Sequence, residues 1–167
     1  IIRIDVDNSK QPNSRWYSGS GIYRDVNLWT GKDVYISHDK LRITTLSVND
    51  DMAVIEVCAQ LKNIIGHGLE AECLIEIKKD GQKTASDTQR VVFRSEQMQT
   101  VRVQIPIEHP KKWSPKQPAL YECHITTKFD DKICDEAVSN FGIRVLALDP
   151  VRGLQINGET VKLRGTC

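Results

Sequence analysis

Carboxylates, imidazoles and thiols are the groups in this chain able to do chemistry, and their spacing decides which chemistry is open to them. Two adjacent aspartate pairs occur, Asp50-Asp51 and Asp130-Asp131. Each sits among turn formers between alternating apolar runs, so both pairs read as solvated hairpin turns and not as facing acid and base. Glu70 and Glu72 recur at period two and belong to the outer face of a strand. His38, His67, His109 and His124 are scattered, without i, i+4 or paired spacing. That supports neither a metal centre nor a Ser-His-Asp set.

The cysteines are Cys58, Cys73, Cys123, Cys134 and Cys167, and none forms a Cys-x-x-Cys pair, which speaks against zinc. Parity along the strands sorts them further. In Met52–Leu61 the apolar set Ala53, Ile55, Val57, Ala59 and Leu61 points one way, leaving Cys58 with Glu56 and Gln60 on the other face. Cys73 runs with Ala71, Ile75 and Ile77, and Cys123 with Tyr121 and Ile125. Both read as buried small hydrophobes with free thiols. A Cys73–Cys123 disulfide is the competing reading, since sequence does not give the Cα separation a bridge requires.

Composition narrows the class. At 167 residues there is room for one substantial domain plus flanking pieces. The 23 Lys+Arg balance 22 Asp+Glu, and no basic stripe with interleaved aromatics occurs, so nucleic acid is not an expected partner. The longest apolar runs fall far short of the roughly 18 residues a membrane helix needs, so no membrane is expected either. No basic segment followed by an apolar one opens the chain, which leaves the compartment open.

These groups must be positioned by strands. Alternation predicts them over Gly21–Trp29, Asp33–Ser37, Leu41–Ser47, Met52–Leu61, Leu69–Lys78, Gln89–Arg94, Gln99–Ile105, Ala119–Lys128, Lys132–Val138 and Phe141–Leu148. Turn signals separate several of them: Asn49-Asp50-Asp51, Gly66-His67-Gly68, Lys79-Asp80-Gly81 and Asp130-Asp131. No window of a dozen residues sustains a helical stripe. The fold class is all-β: an immunoglobulin-like antiparallel β-sandwich, with flanking strands from truncated neighbouring domains.

The flanks have a different character. Ile1-Ile2-Arg3-Ile4-Asp5-Val6 opens in mid-strand. Ser14-Arg15-Trp16-Tyr17-Ser18-Gly19-Ser20-Gly21-Ile22-Tyr23-Arg24-Asp25-Val26 then packs aromatics, glycines and arginines into an elaborate loop. At the other end Gly153–Gly165 reads as a hairpin whose Asn157-Gly158 supplies the two positive-φ positions of a type I′ turn. Leu163–Cys167 starts a further strand. The chain therefore reads as cut at both ends from something larger.

Four of these segments resemble one family in its own order. Trp16–Val26 resembles the end of the sugar-binding jelly-roll domain of family 2 glycoside hydrolases, the β-galactosidase and β-glucuronidase group. Trp113-Ser114-Pro115-Lys116-Gln117-Pro118-Ala119-Leu120-Tyr121 is similar to that family's Trp-x-Pro-x-x-Pro-x-Leu-Tyr segment in its immunoglobulin-like domain. Phe141-Gly142-Ile143-Arg144 resembles the Phe-Gly-Ile/Phe-Arg that closes the domain. Ile156-Asn157-Gly158 through Leu163-Arg164-Gly165 is similar to the hairpin leading into the catalytic TIM barrel, with Glu159-Thr160 where Lys-Pro is common.

The resemblance implies a domain plan and an activity. Residues 1–32 correspond to the C-terminal remnant of the jelly roll, 33–146 to the immunoglobulin-like sandwich, and 147–167 to the linker hairpin and first barrel strand. The implied reaction is retaining hydrolysis of a β-glycoside by two glutamates on barrel strands, with β-galactosidase-like members the better match. Both glutamates would lie beyond Cys167, so no catalytic residue, metal ligand or cofactor is expected within the chain. The implied partner is a β-glycoside or oligosaccharide bound through the parent enzyme.

Arg15 and Trp16 are the implied substrate-binding residues. An arginine fork donates to sugar hydroxyls and an indole face stacks on a pyranose ring. The competing reading has them brace the loop against the next domain. Arg144, on the strand leaving the sandwich, is expected to tie domains together through carboxylates or carbonyls. Ile1–Val6 and Ile22–Trp29 would expose strand edges, and disorder, packing on the sandwich or pairing into a homo-oligomer would satisfy them. The alternative from another class is a free-standing immunoglobulin-like module that binds carbohydrate or protein.

Overall fold

The computed structural model describes residues 2–9, 20–94 and 97–165. Contacts divide the chain into two units, Ile1–Thr30 and Gly31–Cys167. The described part of the first unit contains no strand, against the alternation of Ile1–Val6 and Gly21–Trp29. Ile2, Tyr23 and Leu28 are each at least 80% exposed. Alternation favours a strand only where one face is buried, and these apolar side chains are exposed.

The second unit is the sandwich. In its first sheet, β3 (Met52–Asn63) is central. The long β6 (Met98–Glu108) pairs along one side, while β1 (Val34–Ile36) and β2 (Arg42–Val48) share the other, all antiparallel. The second sheet runs β5 (Gln82–Phe93), β4 (Leu69–Lys79), β7 (Tyr121–Phe129), β8 (Lys132–Phe141), again antiparallel. Period-two alternation turns Ala53, Ile55, Val57, Ala59 and Leu61 inward from β3 and Val101, Val103, Ile105 and Ile107 inward from β6. Ala71, Cys73, Ile75 and Ile77 from β4 and Tyr121, Cys123 and Ile125 from β7 belong to the same core. The all-β sandwich expected from the sequence is the observed architecture.

The strands read short from sequence are the edge strands. β5 begins at Gln82, seven residues before the apolar pattern does, because Asp80 (φ 52°) and Gly81 (φ 80°) close a two-residue turn that pairs Lys79 with Gln82. The polar run 82–90 is tolerated because β5 is an edge. β6 continues through Pro106, which pairs opposite Val54 from the edge of its sheet, where a missing donor costs little. Asp130 (φ 51°) and Asp131 (φ 58°) form the β7–β8 turn.

Cys73 and Cys123 are buried and free. They lie on adjacent strands of one sheet, with Ile77 opposite Cys123 and Cys73 opposite Thr127. That offset of four residues is about 13 Å at about 3.3 Å per residue, too far for a disulfide. Removal from water pushes both thiols up to about 12.

A buried polar clip ties β1 to the opposite sheet. The Asp135 carboxylate accepts from the Ile36 N–H at 2.8 Å, and the Thr127 hydroxyl donates to the Val34 carbonyl at 2.8 Å. Asp135 also accepts from the Glu136 N–H at 2.9 Å, so both carboxylate oxygens are engaged. A third, small sheet of β9 (Leu146–Asp149), β10 (Gly153–Ile156) and β11 (Glu159–Thr160) follows the sandwich.

Candidate functional site

Arg15 and Trp16, the implied sugar-contacting pair, lie outside the described residues, as does Ser14–Gly19. Among the described residues no group of three His, Cys, Asp or Glu side chains gathers that could hold a metal ion. Glu70 and Glu72 lie on the outer face, paired with Arg90 and Lys128. What the fold does assemble is a joint between the sandwich and the terminal sheet.

The joint starts at a glycine. The segment Phe141–Leu148 reads as one strand from sequence, yet pairing stops at Phe141 and resumes at Leu146 in a different sheet. At the break Trp113 packs closely against Gly142. A Cβ on Gly142 would come within 2.8 Å of the Trp113 Cβ, Cγ and Cδ1. The Trp113 N–H donates to the Ile143 carbonyl at 2.8 Å, filling the bonding position a neighbouring strand would otherwise take.

Trp113 is itself held from both sides. Beyond it, Ser114 and Gln117 exchange backbone hydrogen bonds at 3.0 and 3.1 Å, closing a tight turn around Pro115. Before it, the Lys111 N–H donates to the Tyr121 hydroxyl at 2.9 Å, and the Tyr121 ring packs 5.7 Å from that of Phe141. Lys112 reaches Asp50 at 2.6 Å, and that hydrogen bond holds the Asp50 carboxyl below its ordinary range.

Among the described residues no carboxylate pairs with Arg144. Its guanidinium stands 4.4 Å from the centre of the Trp113 ring, a cation–π stack, while its backbone N–H reaches the Thr45 hydroxyl at 3.3 Å. Where the sequence points to carboxylates or carbonyls, the described residues give the side chain an aromatic partner: Gly142 brings the indole face directly beneath it, and a planar guanidinium stacks well on such a face.

Asn157 closes the joint. Its Nδ2 donates to the Trp113 carbonyl at 2.9 Å, and its Oδ1 accepts from the Val145 N–H at 3.0 Å. Its own N–H donates to the Val145 carbonyl at 2.9 Å. The positive φ of Asn157 (53°) and Gly158 (83°) forms the two-residue turn between β10 and β11, as the sequence predicts. At the other end of β10, Asp149 accepts from the N–H groups of Arg152 at 2.7 Å and Val151 at 2.9 Å, which lowers its carboxyl pKa. Sequence reading found the turn at Asn157 and missed its side chain's role. An asparagine's amide can serve distant backbone groups while its own backbone is in the left-handed region, but nothing in the local pattern says which groups.

Beside the joint lies a depression of about 530 Å³, lined in part by Ile43, Leu46, Leu120, Phe141, Val145 and Leu146. Leu146 (58% exposed) and Leu148 (83%) pair across from buried Ile156 and part-buried Leu154, so the apolar face of the small sheet is exposed along β9.

The sequence profile of Glycosyl hydrolases family 2 matches residues 34–144, from β1 to the Arg144 stack. The chain belongs to this family. It is 29% identical to the β-galactosidase BoGH2A of Bacteroides ovatus over all of the chain and 20% of that protein. It is 26% identical to a β-glucuronidase of Formosa agariphila over 99% of the chain and 19% of that protein. A crystal structure of a glycosyl hydrolase family 2 member from Bacteroides cellulosilyticus superposes with a TM-score of 0.81 at 28% identity, covering 92% of the chain and 21% of that structure. The chain thus spans only 15% to 20% of the first curated relatives it matches. Trp113–Tyr121, Phe141–Arg144 and Asn157–Gly158 meet at one joint.

Proposed function

We propose that this chain is a non-catalytic interior region of a retaining β-glycosidase, most like a β-galactosidase, whose part is to orient a sugar-binding domain against a catalytic barrel. The observation that carries this is the joint. Three segments far apart in sequence use the Trp113 indole, the Trp113 carbonyl and the Asn157 amide to fix the direction in which the chain leaves the sandwich. A cation–π stack and paired hydrogen bonds resist rotation better than apolar packing alone, as a spacer between two working domains requires. The domain plan of 1–32, 33–146 and 147–167 belongs to the same proposal. So does a role for Arg15 and Trp16 at the sugar, and a β-glycoside as the substrate of the longer enzyme.

Purified 167-residue chain incubated with chromogenic β-galactosides and β-glucuronides should release no aglycone above a buffer control. Turnover that co-purifies with the chain through successive columns would refute the non-catalytic assignment. A coding sequence that stops directly after Cys167 would favour a free-standing binding module instead.

A further inference from the structure

Asn157 is the only asparagine of the chain followed by glycine. In a flexible chain that pair is labile. The Gly158 nitrogen attacks the Asn157 Cγ, ammonia leaves, and water opens the resulting succinimide to an aspartyl or isoaspartyl residue. We propose that Asn157–Gly158 is a modification site: a latch that the fold holds closed against deamidation, and that deamidation opens.

The geometry carries both halves. The Asn157 amide is held at both ends, Nδ2 on the Trp113 carbonyl and Oδ1 on the Val145 N–H. Its Cγ cannot turn toward the Gly158 nitrogen without giving up both bonds. The hold is therefore also the protection. Exposed Gly158 meets nothing within 4 Å of where a Cβ would stand, so once the amide is released nothing shields the turn from attack.

The products cannot rebuild the latch. An aspartyl side chain places a carboxylate oxygen against the Trp113 carbonyl oxygen, two acceptors where a donor stood. An isoaspartyl residue adds a methylene to the backbone of a two-residue turn and breaks the pairing of Ile156 with Glu159. Neighbouring charges do not rescue the aspartyl form. Arg144 is stacked on the Trp113 ring and Lys112 is engaged by Asp50. The outcome is loss of the anchor that fixes the β9–β11 sheet. It concerns these residues alone and does not depend on the glycosidase assignment.

The test holds the 167-residue chain at mildly alkaline pH, folded in buffer and unfolded in strong urea, and follows ammonia loss at Asn157 by peptide mass mapping. Deamidation in the folded chain should be at least about tenfold slower, since the reaction waits for the joint to open. The refolded product should show the Val145 amide, and the Val161 amide that donates to the Leu154 carbonyl at 2.8 Å, exchanging at least about tenfold faster than in fresh chain. Equal deamidation rates, or unchanged exchange in the product, would overturn the proposal.

Asn157→Asp separates charge from backbone damage. At neutral pH its Val145 amide should lose protection. Acidification through the new carboxyl's titration restores a donor toward the Trp113 carbonyl, so the protection factor should recover. Normal protection at neutral pH, or no recovery on acidification, contradicts the latch.

Discussion

Gly142→Ala is the sharpest test of the joint. The φ of Gly142 lies outside the left-handed region, so the glycine is required by proximity and not by backbone conformation. The added Cβ would stand 2.8 Å from three atoms of Trp113, inside any real contact distance. Accommodating one methyl in a filled site costs about 1–3 kcal/mol. Pushing the indole aside also disturbs the Arg144 stack, worth about 0.5–1 kcal/mol, and strains the hydrogen bonds at Trp113, worth about 1 kcal/mol net each. The expected loss is about 2–4 kcal/mol of local stability in the joint. Urea denaturation gives the global share, and hydrogen exchange at Trp113, Val145 and Asn157 gives the local one. Because the nearest atoms are the Trp113 Cβ, Cγ and Cδ1, the same substitution in a Trp113→Gly background, which removes all three, should cost less than about 0.5 kcal/mol, a coupling that a double-mutant cycle isolates. Gly158→Ala is the contrast: with open space and φ of 83°, it should cost about 1–2 kcal/mol whether or not Trp113 is present. A Gly142→Ala chain within about 0.5 kcal/mol of the parent, or a cost that persists without Trp113, would refute the account.

Other outcomes follow from the core. Thiol reagents at mildly alkaline pH should modify partly buried Cys58 before Cys73 and Cys123, which stay untouched until the chain unfolds. Because both buried thiols are raised from 9.0 to about 12, their contribution to stability is complete below pH 9. It should be lost progressively as pH rises toward 12, measurable as a falling urea midpoint. Asp135→Ala leaves the buried Ile36 N–H without its acceptor and should cost about 1–3 kcal/mol in the same assay, with β1 amides exchanging before those of β3.

Much of the sandwich was legible in the chain because burial on one face writes a period of two. β3 and β4, buried on alternate residues throughout, were read almost to their ends. β5 was not, because an edge strand carries polar residues on both faces and looks like loop until Gly81 is seen to close the hairpin. Phe141–Leu148 was read as one strand because Gly142 carries no pattern of its own; its meaning comes from Trp113, 29 positions earlier. Arg144 reads from sequence as a tie to carboxylates or carbonyls for the same reason, since the aromatic face it stacks on is brought beneath it only by folding.

The sequence by itself determined that the chain is all-β, that its thiols at 73 and 123 are buried, and that Asn157-Gly158 forms a turn. Each follows from short-range rules of alternation and φ preference, which act within a few residues. The tertiary structure alone decided that Trp113, Gly142, Arg144 and Asn157 form one joint. It likewise decided that Asp135 and Thr127 clip β1 across the sandwich. Those contacts join residues 29 to 99 positions apart, and a hydrogen bond or ring stack at that separation leaves no trace in local periodicity.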